Sequence, residues 1–349
     1  MGAPYIRESV EALEAYRPGE QSAAPDLVKL NTNENPYPPG PRVAEALRGA
    51  DAASLRLYPA PGADALRRAL ARHHGVPEEC VFAGNGSDEV LRLAVRAFTA
   101  PGGCAAMFDP TYSLYPVLCA AEEVRSAAVP LGEGFSWREP EPPEDATLFF
   151  LTNPNAPTGV RYPDEAVGAF ARRFEGVVLM DEAYGDFAEP EVPGVRLAME
   201  LENVLVCRTF SKSWGLAGIR CGYAVGSPRL IGALDKLKDS YNLDALTQRL
   251  ACAALEDADY MRQTAREIVA TREKTAAELR SRGWTVVPSQ SNFLFAKPPE
   301  GGPGAAEIFA KLRAVHIFVR YFANSPLTRD WLRISIGTEG QMERFLAEV

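Results

Sequence analysis

The chain has 349 residues and a net charge of −9, with 37 Lys and Arg residues against 46 Asp and Glu residues. This length allows two domains or one large one, and the acidic balance argues against binding to nucleic acid or to an anionic membrane. No apolar run approaches the roughly 18 residues that a transmembrane helix needs, and the first residues lack the basic-then-apolar pattern of a signal peptide.

The positions of the cysteines and histidines narrow the possible classes of protein further. The six cysteines are scattered and form no C-x-x-C pair, so we expect small buried side chains in a reducing compartment rather than disulfides or a zinc site. The three histidines have no metal-ligand spacing, and His73 and His74 lie at a predicted helix end, where capping or a surface position is expected. We therefore expect a cytoplasmic protein without a metal.

The first 36 residues predict an N-terminal arm. A short helix is expected at residues 5–16, ending near Pro18. Residues 30–40 are polar, rich in proline and extended. This segment is either a plain linker or a segment whose asparagines form hydrogen bonds with the backbone and with a ligand.

A helix is expected at residues 63–74, and a short strand at residues 81–84 then meets a Gly-Asn-Gly turn. Apolar residues at helical spacing from Val90 onward predict a second helix, with Ser87 or Asp88 as its N-cap. Free backbone N–H groups at such a helix start form a natural phosphate cradle.

Three further apolar strands end in polar or aromatic side chains. The first, at residues 105–108, precedes Tyr112, which could stack on a planar ring or fill the core. The second runs into the Asn- and Pro-rich turn 153–159. The third, at residues 177–180, ends in Asp181, which either faces a ligand at the edge of a parallel sheet or caps a helix.

The strand at residues 204–207 leads into a stretch with one lysine, three glycines and an arginine. Ser211 and Arg220 offer a hydroxyl donor and a planar cation that suit a phosphate. Lys212 is either a solvated surface lysine or the partner in a Schiff base with a phosphorylated carbonyl compound. The second description fits pyridoxal 5′-phosphate.

The C-terminal third has a different pattern. Residues 247–282 predict one long helix without internal Pro or Gly, of a kind that often joins two domains. Beyond it, short strands around a helix at residues 305–315 predict a small α+β domain. We therefore expect an arm at residues 1–36, a large cofactor-binding domain at residues 37–245 and a small domain at residues 246–349.

One cofactor would explain all of these strand ends. Asp181 would pair with the pyridine nitrogen and keep it protonated, so that the ring acts as an electron sink. Tyr184 and an asparagine from residues 153–155 would bind the phenolic oxygen, and Tyr112 would stack on the ring. Lys212, once displaced by substrate, would move the proton as general base and acid.

The motifs follow one another in a characteristic order at residues 33–36, 58–59, 84–89, 110–112, 153–159, 181–184, 208–212, 216–220, 291–293, 319–320 and 332–337. In this order they resemble the fold-type-I, pyridoxal-phosphate-dependent aminotransferases of class I/II, most closely the histidinol-phosphate aminotransferases. The resemblance implies an α/β fold. Its large domain would have a mostly parallel central sheet between helices, followed by a small α+β C-terminal domain.

The resemblance also implies roles for single residues. Tyr58 would reach the cofactor phosphate of a neighbouring subunit, which implies a homodimer. The expected cofactor-binding set is Gly86, Ser87, Asp88, Tyr112, Asn155, Asp181, Tyr184, Ser211, Lys212 and Arg220, together with Tyr58. The expected substrate-binding set is Tyr16, Asn35, Arg320 and Arg333. Arg333 would bind the substrate carboxylate, and Tyr16 and Arg320 would help to recognise a phosphate, although Arg320 could be a plain surface cation.

One position departs from the family pattern. Ala156 stands directly before Pro-Thr-Gly, where the family usually has an asparagine that contacts the phenolic oxygen. Asn155 or Asn153 could take over this contact, or it could be lost. Without it the phenolate is less stable, and the pKa of the Lys212 Schiff base should rise.

Three activities fit these residues. The leading hypothesis is transamination between histidinol phosphate and 2-oxoglutarate in histidine biosynthesis by a two-step ping-pong mechanism, suggested by the arm and the pair Arg320 and Arg333. The alternatives are an aromatic amino-acid aminotransferase and a decarboxylase of a phosphorylated amino acid such as threonine phosphate. A non-enzymatic regulator would need a DNA-binding module, and no basic segment offers one.

Overall fold

The computed structural model describes residues 5–16, 18–22, 24 and 26–349. The helices of this part of the chain are α1 (Glu8–Glu11), α2 (Pro41–Arg48), α3 (Asp64–His74), α4 (Ser87–Phe98), α5 (Leu114–Ala121), α6 (Asp164–Arg173), α7 (Gly194–Glu200), α8 (Pro228–Leu237), α9 (Ala245–Glu256), α10 (Ala258–Ser281), α11 (Ala305–Ala314) and α12 (Glu339–Glu348). The strands are β1 (Val28–Leu30), β2 (Val81–Gly84), β3 (Cys104–Asp109), β4 (Arg125–Pro130), β5 (Ala146–Thr152), β6 (Val177–Asp181), β7 (Val204–Thr209), β8 (Gly222–Gly226), β9 (Thr285–Val286), β10 (Phe293–Lys297), β11 (Ile317–Tyr321) and β12 (Leu332–Ser335).

A seven-stranded sheet with the order β2-β8-β7-β6-β5-β3-β4 forms the larger part of the fold. Strand β8 alone runs in the direction opposite to the other six strands, which confirms the mostly parallel sheet. Its register pairs Thr152 with Asp181 and Asp181 with Cys207, so the carboxyl ends of three central strands meet at one edge. In open α/β sheets this edge is where ligands bind.

Helices cover both faces of this sheet because its central strands are apolar on both sides. On one face, Phe150 of β5 packs in a cluster with Tyr115 of α5 and with residues of α4 and α8. On the other face, Phe149 of β5 packs with Phe170 of α6 and Leu197 of α7. This two-sided burial holds the strand ends, and thus the side chains that follow them, in fixed positions.

The second sheet has five strands in the order β1-β11-β12-β10-β9. Strand β1 comes from the predicted arm and pairs in parallel with β11, with Val28 opposite Ile317. The sequence predicts an arm at these residues but no strand, since three residues carry too little pattern to show one. Strands β11 and β12 are antiparallel and place Arg320 opposite Arg333.

Two helix predictions were wrong in extent. The helix expected at residues 5–16 is a single turn at Glu8–Glu11 with no buried residue. A helix gains most of its stability from a buried face, and without one this segment does not extend further. The helix expected at residues 247–282 is interrupted at Asp257, which separates α9 from α10. The carboxylate of Asp257 accepts a hydrogen bond of 2.7 Å from the backbone N–H of Arg42 at the start of α2. Aspartate side chains that bind backbone groups in this way compete with helical structure.

Within the described residues, no helix has the length and apolar character needed to cross a bilayer. His74, the last residue of α3, is partly buried: its Nε2 lies 2.9 Å from the Tyr223 hydroxyl, and burial lowers its pKa to about 2. All six cysteines are free thiols, and five are buried. The domain limits at residues 36 and 245 remain predictions.

Candidate active site

A cavity of about 290 Å³ lies at the carboxyl ends of the parallel strands. It is lined by strand ends of the seven-stranded sheet, by the arm and by the five-stranded sheet. The structure brings eleven of the expected site residues to its wall, namely Tyr16, Ser87, Asp88, Tyr112, Asp181, Tyr184, Ser211, Lys212, Arg220, Arg320 and Arg333.

Asp181 ends β6 in a buried position, 4% exposed. Its Oδ2 accepts a 2.6 Å hydrogen bond from the Tyr115 hydroxyl, and its Oδ1 accepts one of 3.1 Å from the Ala183 N–H. It is not a helix cap, because the next helical turn, Gly185–Phe187, has Tyr184 at its N-cap position. Burial raises the pKa of Asp181 to about 6, although both hydrogen bonds oppose the shift. A carboxylate held in this way can pair with a cationic partner in the cavity.

Lys212 follows β7 and reaches the cavity from the neighbouring strand end. Its Nζ donates a 3.0 Å hydrogen bond to the backbone oxygen of Thr32 and lies 5.8 Å from the centre of the Tyr184 ring. Burial, followed by the nearby charge of Arg333, lowers the pKa of Lys212 to about 8. An amine with this pKa is partly neutral near physiological pH and can act as a nucleophile or a base.

The start of α4 forms a cradle at another part of the cavity. Gly86, with φ of +79°, occupies the N-cap position, so the expectation of Ser87 or Asp88 as the N-cap was wrong. A Cβ at Gly86 would lie 2.9 Å from Nη2 of Arg220, and a side chain there would therefore crowd the cradle. Arg220 also lies 3.3 Å from the Ser211 hydroxyl and 3.5 Å from Asp88.

Two tyrosines lie beside these groups. Tyr112 lines the cavity and makes edge-to-face contacts with Tyr16 at 5.9 Å and Tyr115 at 5.5 Å. It is thus at the cavity wall rather than wholly inside the core. The hydroxyl of Tyr184 accepts a 2.9 Å hydrogen bond from Nδ2 of Asn33. Burial raises the pKa of Tyr184, and the Arg333 charge and Asn33 oppose the shift.

The two arginines enter from the five-stranded sheet. Nη2 of Arg333 donates a 2.9 Å hydrogen bond to the backbone oxygen of Asn31, whereas its buried Nε finds no partner within the described residues. Burial lowers the pKa of Arg333. Arg320 donates to the backbone oxygen of Pro18 at 3.2 Å. Two guanidinium groups at one cavity wall suit anionic ligands.

Two expected site residues turn away from the cavity. Asn35 instead donates to the backbone oxygen of Ser213 and accepts from the Tyr37 N–H, both at 2.9 Å, so it fixes the arm to the loop after Lys212. Asn155 is fully buried, donates to the Pro110 oxygen and accepts from the Thr158 hydroxyl. These contacts hold the turn itself.

The turn at residues 153–159 therefore presents no amide at the cavity. Oδ1 of Asn153 accepts a hydrogen bond from the Tyr162 N–H, and its buried Nδ2 has no partner within the described residues. Asn153 does not line the cavity, and Ala156 is the residue of this turn that does. Of the two outcomes expected for position 156, the geometry favours loss of the contact over its replacement by Asn155 or Asn153.

Tyr58 does not reach the cavity that the described residues of its own chain form. It is 80% exposed and stacks on Tyr241, with ring centres 4.4 Å apart. This position is compatible with a contact outside the chain.

Several site residues were not predicted. Tyr115 and Thr152 form a hydrogen-bonded group with Asp181, with 2.6 Å between their hydroxyl oxygens, and the position of Thr152 at the end of β5 was a usable signal. Asn33 was part of a recognised motif but had no role assigned. Thr32 acts through its backbone oxygen, which residue type does not reveal.

These residues fit pyridoxal 5′-phosphate. The cradle of N–H groups, hydroxyl and guanidinium at the start of α4 suits the phosphate, and its backbone turn at Gly86 has a positive φ that favours glycine. Lys212 supplies an amine of lowered pKa for an aldehyde, and Asp181 supplies a buried carboxylate for a ring nitrogen.

Comparison with known proteins agrees with this assignment. Residues 25–349 match the family model of aminotransferase class I and II. The chain therefore belongs to the class I and II aminotransferases.

Relatives within the family are more specific. The chain is 46% identical to the histidinol-phosphate aminotransferase of Chromohalobacter salexigens, covering 99% of this chain and 96% of that protein. It is 41% identical to the one of Syntrophotalea carbinolica, covering 98% and 97%. The crystal structure of histidinol-phosphate aminotransferase from Sinorhizobium meliloti in complex with pyridoxal 5′-phosphate has a TM-score of 0.89 at 27% identity, over 99% of this chain and 96% of that chain. The expected family, fold, enzyme class and cofactor are confirmed.

Proposed function

We propose that this enzyme transfers the amino group between histidinol phosphate and 2-oxoglutarate, a step of histidine biosynthesis. The observation that carries the proposal is the arginine pair at the cavity. Arg320 and Arg333 are direct neighbours on antiparallel strands and both line the cavity that contains Lys212. One substrate carries a phosphate and the other carries carboxylates, and guanidinium groups bind both. The names of the relatives support this choice.

The cofactor would be held by residues of the seven-stranded sheet. Its phosphate would lie in the cradle of Ser87, Ser211 and Arg220, its aldehyde at Lys212 and its ring nitrogen at Asp181. When bound, pyridoxal phosphate supplies an electron sink for the negative charge that develops at the substrate's α-carbon. Asp181 pairs with the ring nitrogen as a negatively charged carboxylate. Since burial raises its pKa to about 6, it carries this charge mainly above that pH.

Lys212 would be the proton carrier. A general base works best with a pKa near the operating pH, and burial and Arg333 bring that of Lys212 to about 8. Thr32 accepts a hydrogen bond from the amine and would keep it directed into the cavity. The same nitrogen would take the proton from the α-carbon and return it to a neighbouring atom.

The two arginines would divide the work of substrate binding. Arg333 is the more enclosed: its guanidinium lies over the rings of Phe293 and Phe322, 5.4 and 5.5 Å from their centres, and its Nε is unused among the described residues. It would bind the carboxylate when glutamate is present. Arg320 and Tyr16 would bind the phosphate of histidinol phosphate.

A substrate panel tests the proposal. The purified holoenzyme would be mixed in single turnovers with histidinol phosphate, phenylalanine, tyrosine, glutamate and threonine phosphate, and the half-reaction rates compared. Fast conversion of histidinol phosphate and glutamate is expected. Faster conversion of phenylalanine or tyrosine would indicate an aromatic aminotransferase instead. Release of carbon dioxide without an oxo-acid acceptor would indicate a decarboxylase.

A homodimer with shared sites and a cytoplasmic location complete the proposal. The exposed Tyr58 would reach the phosphate of the neighbouring subunit, and the free buried cysteines suit a reducing compartment. Mixed dimers of Tyr58→Ala and Lys212→Ala chains should regain activity that neither parent has, since one site of each mixed dimer is intact. Mixed dimers of Lys212→Ala and Asp181→Asn are the control and should stay inactive. No gain in the first mixture would contradict shared sites.

A further inference from the structure

The hydroxyl of Tyr184 has only one hydrogen to donate, and the structure limits where it can go. A phenol has one donor and can accept further hydrogen bonds. Nδ2 of Asn33 donates to this oxygen at 2.9 Å. No protein acceptor of the Tyr184 hydrogen is found within the described residues. Since Tyr184 lines the cavity, the hydrogen is left for whatever occupies the cavity.

The orientation of the Asn33 amide is fixed by Ser335. The Ser335 hydroxyl accepts a 2.9 Å hydrogen bond from the Asn33 N–H and donates one of 2.7 Å to Oδ1 of Asn33. A flipped amide would leave the serine hydrogen without its acceptor, so the nitrogen is the atom that faces Tyr184. Asn292 also donates to the backbone oxygen of Asn33 at 3.0 Å, which fixes the segment itself.

This arrangement is placed where the neighbouring turn lacks a donor. Ala156 lines the cavity, whereas neither Asn153 nor Asn155 does. Nδ2 of Asn155 donates to a backbone oxygen. Oδ1 of Asn153 accepts from the Tyr162 N–H, and its buried Nδ2 has no partner within the described residues. Asn33 lines the cavity and is only 1% exposed, so its side chain is held by the surrounding protein. Its backbone, with φ of +55°, lies in the left-handed region that asparagine tolerates better than most residues.

We propose that Asn33, held by Ser335, is a positioning residue that directs the Tyr184 hydrogen to the phenolic oxygen of the cofactor. In this way it compensates for the amide that position 156 lacks. The inference rests on the proposed role of Tyr184 and extends it to a residue of the arm. Because Ser335 belongs to β12 and Tyr184 follows β6, the direction of one hydrogen depends on contact between the two sheets.

Replacing Asn33 by Asp tests this with little change of shape. The new carboxylate would accept the Tyr184 hydrogen and withdraw it from the cavity. A phenolate that loses a hydrogen bond is less stable, so the pH midpoint of the absorbance change of the bound cofactor should rise by about one unit. The dissociation constant for pyridoxal phosphate should rise with it.

The new negative charge needs its own control, because Asp88, Asp181, Lys212 and Arg333 also face Tyr184. Asn31→Asp supplies it: Asn31 is a buried asparagine of the same arm that also lines the cavity. Its side chain donates to the backbone oxygen of Glu20 rather than to Tyr184. A rise in the midpoint for Asn33→Asp but not for Asn31→Asp supports the proposal. Equal rises would overturn it by showing a field effect alone.

Tyr184→Phe distinguishes the proposed role of Tyr184, a hydrogen bond to the cofactor, from the positioning role of Asn33. This variant should raise the midpoint by itself, and adding Asn33→Asp to it should then raise the midpoint no further than Asn31→Asp does. If Tyr184→Phe leaves the midpoint unchanged, the role proposed for Tyr184 fails. If Tyr184→Phe moves the midpoint and Asn33→Asp does not, only the positioning role fails. Should Asn33→Asp not fold, Ser335→Ala carries the test, with a smaller rise expected and no rise contradicting it.

Discussion

The cavity has two walls of different construction. The sheet wall includes residues next to strand ends of the seven-stranded sheet, namely Ser87, Asp88, Tyr112, Asp181, Tyr184, Ser211, Lys212 and Arg220. The arm wall consists of residues from the arm and the five-stranded sheet, namely Tyr16, Thr32, Asn33, Arg320 and Arg333.

The contacts that hold the two walls differ in kind. In the sheet wall, Asp181 is held by Tyr115 and by the nearby Ala183 N–H. In the arm wall, the hydrogen bond from Arg333 to Asn31 joins residues 302 positions apart. A wall whose residues follow the strand ends of one sheet suits the group common to every turnover. A wall assembled from two distant segments suits the part of the ligand that differs between substrates. We therefore expect substitutions in the sheet wall to affect all substrates alike.

The largest effect is expected at Lys212. Lys212→Ala removes both the amine that holds the cofactor and the proton carrier, so turnover of every substrate should fall by at least about 10³-fold. The absorbance band of the lysine-bound cofactor should disappear as well. Lys236→Ala, at an exposed lysine of α8, is the matched control and should behave as the wild type. Residual turnover above a tenth of the wild-type rate would contradict the role of Lys212.

Substitutions in the arm wall, in contrast, should affect the two substrates to different extents. Arg333→Ala should raise KM for glutamate by about 10²-fold, since it removes a charged hydrogen-bonding partner of a carboxylate. Arg320→Ala should raise KM for histidinol phosphate more than KM for glutamate. Steady-state kinetics with both substrates measures the two ratios. If both variants affected both substrates equally, the distinction between the two walls would fail.

A pH effect on stability is expected from the sheet wall. In the cofactor-free protein, burial raises the pKa of Asp181 from its ordinary 3.8 to about 6. The folded state then binds a proton more tightly than the unfolded chain. The stability that this group contributes is fully present below pH 3.8 and is lost as the pH rises through about 6. The loss is about 3 kcal/mol at most.

Urea unfolding at pH 5 and pH 7.5 checks this expectation. The partly buried His74, whose pKa is lowered to about 2, titrates with the opposite sign over the same range, so the effect of Asp181 is read as a difference from the wild type. Between pH 5 and pH 7.5 the free energy of unfolding of Asp181→Asn should rise by about 1 kcal/mol more than that of the wild type. Asp259→Asn is the control, because that side chain is 98% exposed and pairs only at the surface. An unchanged pH dependence in Asp181→Asn would show that the carboxylate is not held as described.

The smallest effect is expected from Tyr115→Phe. Loss of the 2.6 Å hydrogen bond to Asp181 should raise the pKa of the carboxyl group further, since this bond opposes the effect of burial. Turnover should fall by up to about 10-fold, and the acid limb of the pH–rate profile should move to higher pH. Tyr162→Phe, at another fully buried tyrosine, should leave the limb in place. An unmoved limb in Tyr115→Phe would contradict this account of Asp181.

The two walls also differ in how far the sequence predicts them. The sheet wall follows from local pattern: each apolar strand is one continuous run, and the residue after it faces the edge where ligands bind. Asp181, Tyr112 and Lys212 were found in this way. Asn155 was misplaced because the direction of its side chain depends on contacts within the turn, with Pro110 and Thr158.

The arm wall depends on contacts between distant segments, which single-sequence reasoning does not supply. Strand β1 is three residues long and exists through its pairing with β11. The interruption at Asp257 involves Arg42, 215 residues away. The contact of Thr32 with Lys212 uses a backbone oxygen, which every residue has. The resemblance to a known family, rather than residue pattern, supplied Arg320, Arg333 and Tyr16.

The central claim is that Lys212 and Asp181 hold one molecule of pyridoxal phosphate between them. A crystal structure of the protein with this cofactor tests it most directly. The prediction is continuous density from Nζ of Lys212 to the cofactor, with the ring nitrogen of the same molecule within hydrogen-bond distance of the Asp181 carboxylate. A cofactor attached to another lysine, or one whose ring nitrogen lies away from Asp181, would contradict the claim.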